Sequence, residues 1–340
     1  MSAQRRAPVD VQGPYFEDLR QGEVVGSAPS LTLTEGHAAV HQAIVGDRLR
    51  LALDAGLSRR VLGGDRAMAH PALVCDVAIG QSTLLTQRVI ANLFYRGLAL
   101  RRVPLIGDTL HTSTEVIALR QNSLREDRPV TGLAVLRIRT IDQEQRPVLD
   151  FLRCAMLPLR ERTTSTGHAA DLDSISADVD TAALLSLVAS WRVQEFAAAV
   201  PGFSLDALSP GTVWSVRGGD VVSGAPELAR MSLNVAMAHH DAGVGSGGRR
   251  LVYGGHTIAI AAAQATRALP NLLTILAWHG CAHLAPVYEG DTLHSELELE
   301  RLEAAPGGAG LVHLRSRVRA VRANADDSDV LDWRFIGVVA

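Results

Sequence analysis

Residues 233–241 read L-N-V-A-M-A-H-H-D and gather an amide, two imidazoles and a carboxylate in one short segment. An imidazole titrates near neutrality, so His239 can take a proton and then return it. Asn234, five residues earlier, cannot take a proton, but its amide can hold a water molecule. Asp241 is a second candidate for proton transfer. The same cluster would also suit an ordinary polar loop. Further on, Gly254 and Gly255 stand just before a long apolar stretch. At the start of a helix their unencumbered N–H groups would favour negative charge developing on a bound oxygen. They would equally permit a strand-to-helix turn, and the two readings are compatible. His256 is either an N-terminal helix residue or a second polar wall. Arg249 and Arg250 suit a bidentate carboxylate contact, a phosphate contact or plain surface.

Composition removes several chemistries. All 33 basic residues are arginine, because the chain of 340 contains no lysine. A lysine-dependent phosphate loop, a pyridoxal Schiff base and a lysine nucleophile are therefore excluded. The net charge of −3 argues against an electrostatic nucleic-acid binder. Cys75, Cys154 and Cys281 lie far apart, so neither a cysteine zinc site nor a disulfide framework is expected. No metal or tightly bound redox cofactor is implied. The polar N-terminus has no apolar run of a signal peptide behind it, and the most apolar stretch is too short and polar to span a bilayer. A soluble, cytoplasmic protein with no membrane partner is expected.

The elements that must hold these residues repeat. Residues 105–111 read L-I-G-D-T-L-H and residues 288–294 read Y-E-G-D-T-L-H, an offset of 290 − 107 = 183. V-L-D-F from Val148 and V-L-D-W from Val330 fall at 182, and F-Y-R-G-L-A against A-W-H-G-C-A falls at 280 − 97 = 183. A duplicated unit follows. After each G-D-T turn come strand-like runs, over 109–119, 133–141 and 148–157, then 292–302, 311–321 and 330–340. In the run from Val312, Val312, Leu314, Val318 and Ala320 share one face, and His313, Arg315, Arg317 and Arg319 share a solvated one. Before each G-D-T lies one helix candidate, near 69–85 and 257–269. The latter is apolar nearly all round and must be buried. The G-D-T-L turns are structural, with glycine for the bend, and His111 and His294 belong to that scaffold. The expected organisation is a unit over 1–165, a linker over 166–200 with a helix over 180–200, and a unit over 201–340. The fold class is α+β, a double hot-dog in which each antiparallel sheet wraps a central apolar helix.

On these residues the chain resembles the MaoC-type hydratase/dehydratase family, whose signature is approximately G-D-x-N-P-x-H-x-D. Asn234 stands where that family has Asp, with His239 and Asp241 at the following functional positions. In the first copy, residues 46–54 keep Gly46, Asp47 and Asp54, but Ala52 occupies the histidine position. The likeness sharpens toward the mesaconyl-CoA hydratase (methylmalyl-CoA dehydratase) branch in G-R-R-L-V-Y-G-G-H over 248–256. It is also carried by T-E-G from Thr34, A-N-L-F-Y from Ala91, P-L-I-G-D-T-L from Pro104 and V-I-A-L-R-Q-N from Val116. The resemblance implies reversible hydration of a short branched or dicarboxylic enoyl-CoA, with no cofactor beyond the coenzyme A of the substrate. It implies His239 as general acid/base, water held by Asn234 and help from Asp241. Gly254 and Gly255 would form the oxyanion hole, and Arg249, Arg250, Tyr253, His256 and Asp47 would contact substrate.

Two other readings stay open. A hot-dog thioesterase would need a carboxylate base near the thioester carbonyl, for which Asp47 or Asp241 qualifies. A non-catalytic acyl-CoA-binding subunit would fit the degenerate first copy and Asn234. The two copies should pair as a pseudo-dimer sharing a sheet. A homodimer of such chains is one assembly left open.

Overall fold

The computed structural model describes residues 11–125, 128–176, 178–200, 205–323 and 325–340. Its strands are Val24–Val25 (β1), Leu31–Thr32 (β2), Ala91–Leu100 (β3), Thr109–Gln121 (β4), Thr131–Ile141 (β5) and Pro147–Pro158 (β6), then Val213–Ser215 (β7), Asp220–Val221 (β8), Leu272–His283 (β9), Thr292–Ala304 (β10), Gly310–Val321 (β11) and Ser328–Val339 (β12). They form one antiparallel sheet in the order β1-β4-β5-β6-β3-β9-β12-β11-β10-β7, with β2 on β4 and β8 on β10. The order reads the same from either end. The two copies meet where β3 pairs with β9, Tyr95 opposite Cys281 and Leu98 opposite Trp278. The double hot-dog arrangement is therefore adopted, with one sheet rather than two wrapping both helices.

The central helices are Pro71–Gln81, continued by a 3-10 turn over Ser82–Thr86, and Gly254–Ala268. Every residue of the first helix is buried, as are residues 255–266 of the second. Each buried Leu, Ile or Val contributes roughly 1.5–3 kcal/mol through its removal from water. The second helix begins three residues before the expected start (257 − 254 = 3) and so takes in both glycines. The duplication persists in side-chain detail. Gln81 donates to the Leu110 carbonyl at 3.0 Å, and Gln264 donates to the Leu293 carbonyl at 2.8 Å. Each G-D-T aspartate accepts from a backbone N–H three residues back: Leu105 to Asp108 at 2.9 Å and Tyr288 to Asp291 at 3.0 Å. Gly107 and Gly290 hold φ of 95° and 89°, a region that favours glycine.

Two details depart from the sequence reading. The helix expected over 180–200 is two helices, Thr181–Val188 and Val193–Ala199. His313 is buried rather than solvated, because Arg301 and Glu303 close over it. The arginines beside it stay half-buried or exposed and pair across strands, Arg315 with Asp332 at 2.6 Å and Arg317 with Glu298 at 2.9 Å. The connecting segment also has a packing role. Leu172, with Ala170 and Ile175, covers an outer apolar patch of Leu133, Val135, Leu152 and Cys154. Among the described residues no helix is long and apolar enough to cross a membrane, and all three cysteines are free and buried.

The loop 232–241 of the second copy docks on the end of the first copy's central helix. Val235 N–H donates to Thr83 Oγ1 at 2.9 Å, and Met237 N–H donates to the Gln87 carbonyl at 2.8 Å. This approach requires a glycine at position 80, where a Cβ would stand 1.8 Å from the Ser232 carbonyl oxygen. Backbone on both sides cannot yield cheaply, so Gly80→Ala should destabilise by about 1–3 kcal/mol or more. Thermal denaturation checks this: an unchanged Tm would show that the loop does not depend on the contact.

Candidate active site

The loop is tightly folded on itself. Leu233 holds φ of 61°, unusual for a branched residue and a mark of constraint. Asn234 Oδ1 accepts from Ala236 N–H at 2.9 Å, closing an Asx turn, and the chain then forms a 3-10 turn over Met237–His239. That turn directs His239 inward, where it is 7% exposed. Its Nδ1 lies 2.8 Å from the Leu251 carbonyl. A carbonyl only accepts, so Nδ1 carries the hydrogen and neutral imidazole keeps its lone pair on Nε2. Burial pushes the His239 pKa down to about 4, with His240 and Arg153 adding to the depression and the Leu251 bond opposing it. His239 is thus neutral at pH 7 with a free basic nitrogen.

Beside it the second central helix begins. The Tyr253 ring lies 5.7 Å from the His239 ring, and Tyr253 is the N-cap residue of the helix. Gly254 and Gly255 are its first two residues, whose N–H groups have no acceptor within a helix. Both positions are closed to a side chain. A Cβ at Gly254 would lie 2.7 Å from His283 Nε2, and one at Gly255 would lie 2.1 Å from Asp76 Oδ1. Burial pushes both His256 and His283 down to about 4.

The structure thus brings His239, Tyr253, Gly254 and Gly255 into one region, while Asn234, in the same loop as His239, lines a groove beside it. Asp241 is exposed at the rim of the groove that Asn234 lines, and its Oδ1 accepts from Gly243 N–H at 2.8 Å. Arg249 stacks over Tyr288 at 3.9 Å, and Arg250 pairs with Glu289 at 2.8 Å. Both arginines are exposed, a placement open to a phosphate contact or to plain surface. Between the copies lies a groove of about 520 Å³, lined by Pro29, Gln81 and Leu84 of the first and Asn234, Met237 and His240 of the second.

Asp47, expected among the substrate contacts, is buried in the first copy. It occupies the counterpart of the Asn234 position, 234 − 47 = 187, and forms the same turn, accepting from Leu49 N–H at 2.7 Å. Its other oxygen lies 2.9 Å from His70 Nε2, and His41 lies 3.5 Å from Asp76, all four side chains being buried. Burial alone would raise the Asp47 pKa, but His70 holds it below the ordinary carboxylate value. At Asp76 burial prevails and raises the pKa, despite His41. The first cleft therefore holds an internal cluster of two carboxyl–imidazole pairs, and the apolar cavity beside His70 has only about 20 Å³, room for about one water.

Some residues at the site stand outside any motif. Arg153 on β6, buried, and His283 on β9, half-buried, lie around the helix start with the buried Tyr95 of β3, and only long-range strand pairing brings them there. Among the described residues no group of three or more His, Cys, Asp or Glu is placed to hold a metal ion.

No family model matches the chain. A conserved hypothetical protein from Mycobacterium tuberculosis, described as having a double hot-dog fold, is 53% identical. The match covers 97% of this chain and 99% of that one, with a TM-score of 0.89. Beta-methylmalyl-CoA dehydratase of Chloroflexus aurantiacus is 29% identical over 342 residues, covering 95% of this chain and 96% of the relative. Mesaconyl-CoA hydratase of Cereibacter sphaeroides is 27% identical over 316 residues, covering 89% and 88%.

The buried histidines set an acid limit. His239, His256 and His283 each fall from an ordinary 6.5 to about 4 in the folded chain. Between these values the unfolded state binds more protons, so stability rises with pH in that window and is lost as pH falls through it. Denaturant unfolding should give constant stability above about pH 7 and a fall toward pH 4. No fall above pH 5 would show these imidazoles to be solvated.

Proposed function

The chain belongs to the MaoC-like double hot-dog hydratase/dehydratase family, and on that premise we propose that it reversibly hydrates a short branched or dicarboxylic enoyl-CoA thioester. The observation that carries this reading is the state of His239: buried, neutral, fixed through Nδ1 and free at Nε2 beside the glycine start of a helix.

In the hydration direction Nε2 takes a proton from water as the oxygen bonds to the β-carbon. Electrons of the double bond move toward the thioester, and charge develops on its carbonyl oxygen. The N–H groups of Gly254 and Gly255 face that charge with the favourable end of the helix dipole. The imidazolium then delivers its proton to the α-carbon, which completes the addition of one water. The low pKa favours this second transfer and makes the first correspondingly harder, so removal of the water proton depends on the bond forming to the β-carbon in the same step. Asn234 Oδ1 is engaged by Ala236 N–H, so the side-chain NH₂ is the group left to hold the water oxygen. The groove bounded by Asn234 is suited to the pantetheine arm. Hydrolysis of the thioester would need a free carboxylate base. Asp47 is committed to His70, and Asp241 is exposed at the groove rim with one oxygen held by Gly243 N–H, so neither stands beside His239 and the helix start.

Incubation with a panel of enoyl-CoA thioesters should give products heavier by one water. General acid/base catalysis is worth typically 10²–10⁴-fold, so His239→Ala should lose about that much rate. Asn234→Ala should lose less, since the amide only positions water. Release of free coenzyme A without a water adduct, or a folded His239→Ala protein at full rate, would sink the proposal.

A further inference from the structure

Arg153 is 4% exposed on the inner face of β6. Its Nη2 donates to Thr86 Oγ1 at 2.6 Å and to the Ser82 carbonyl at 3.3 Å, while Nε has no partner. These two acceptors are uncharged, and the Tyr95 hydroxyl also lies against the guanidinium. No carboxylate of the described residues lies within 4.0 Å of the guanidinium, whereas the well-covered Arg102 and Arg322 reach Asp108 and Asp291. A buried cation without a counter-charge is costly, and burial lowers the pKa of this arginine.

Its place in the duplicated scaffold is specific. In the β3–β6 pair Arg153 stands opposite Tyr95. In the β9–β12 pair the corresponding residues are Phe335 and Trp278, also opposite one another. The cation therefore belongs to one copy alone. That copy's inner face adjoins the motif loop, for the Arg153 charge acts on His239 and lies near Tyr95 and Tyr253. The Phe335–Trp278 counterpart lies in the other half, where Trp278 and Trp333 line the small apolar cavity.

We propose that Arg153 anchors the free carboxylate of the acyl group, so that the site prefers dicarboxylyl-CoA thioesters to monocarboxylic ones. The proposal deepens the hydratase reading and rests on it for the acyl-CoA ligand. In a four-carbon dicarboxylic enoyl thioester the free carboxylate is bonded to the β-carbon, the atom that receives water. Its anchor must then stand close to the base, as Arg153 does and as the rim arginines Arg249 and Arg250 do not. A guanidinium with an unpartnered Nε–H and a second edge held by neutral acceptors is ready for a carboxylate.

Succinyl-CoA and butyryl-CoA test this without turnover, since they share chain length and differ in a terminal carboxylate against a methyl. Calorimetric titration of the wild-type chain should show succinyl-CoA binding about 10–100-fold tighter. Arg153→Gln should erase the preference by weakening succinyl-CoA far more than butyryl-CoA, and Arg153→Lys should keep part of it. Equal Kd values in the wild type overturn the proposal with no variant needed. Equal loss of both ligands in a folded Arg153→Gln protein overturns it too, because Arg153 would then only support the Ser82–Thr86 turn. A chain that shows the preference but never adds water keeps the anchor and loses the hydratase reading. One that hydrates crotonyl-CoA without any preference loses the anchor alone.

Discussion

Two helices that are buried along almost their whole length have no face to offer to water, and one sheet must enclose both of them. That constraint organises the rest of the molecule. The helices touch each other as well as the sheet, so a polar group within them is paired internally, as Asp76 is with His41, and open polar chemistry falls at their ends and in the loops that seal those ends. The seals are tight enough to exclude a methyl group: Gly80 against Ser232, Gly254 against His283, and Gly255 against Asp76. Each contact joins segments far apart in the chain. The first and third also join the two copies, so the reactive region is completed only when the halves assemble. Strands β3 and β9 make that assembly one continuous sheet.

Most of the scaffold was legible because duplication wrote it twice. The G-D-T turns, the three strands after each and both central helices follow from period and repetition. The strands before each turn were harder to read. β3 slips register on its β6 side between Asn92 and Phe94 and again between Arg96 and Ala99, so no alternation survives in its sequence. β6 hides its pattern differently. Leu172 and its neighbours cover the outer face, and most of Val148–Leu157 is buried on both sides. An inward arginine there looks like any other arginine in an apolar run. At the site, spacing located the loop but not the direction of its side chains. The 3-10 turn over Met237–His239 sends His239 in, while Asp241 falls on the outer side.

The two clefts show how one scaffold holds opposite electrostatics. Both begin with an Asx turn, at Asp47 and at Asn234. In the first the carboxylate meets His70, and His41 meets Asp76, so the charges are satisfied within the protein and the space is filled. A buried pair of this kind fixes conformation more than it adds stability, since desolvation offsets much of the attraction. In the second the corresponding residue is an amide, the imidazole is neutral, and the nearby cation is Arg153.

The amide at position 234 follows from that difference. A carboxylate there would add negative charge to a copy whose buried Arg153 is held by neutral acceptors alone. Asn234 preserves the turn, because Oδ1 still accepts from Ala236 N–H, while contributing no negative charge. The positive character of the pocket is then left for a ligand to satisfy. An amide in the motif and a cation on a distant strand both shift the charge of this half in the positive direction, and the amide keeps the Asx turn that the carboxylate makes in the other copy.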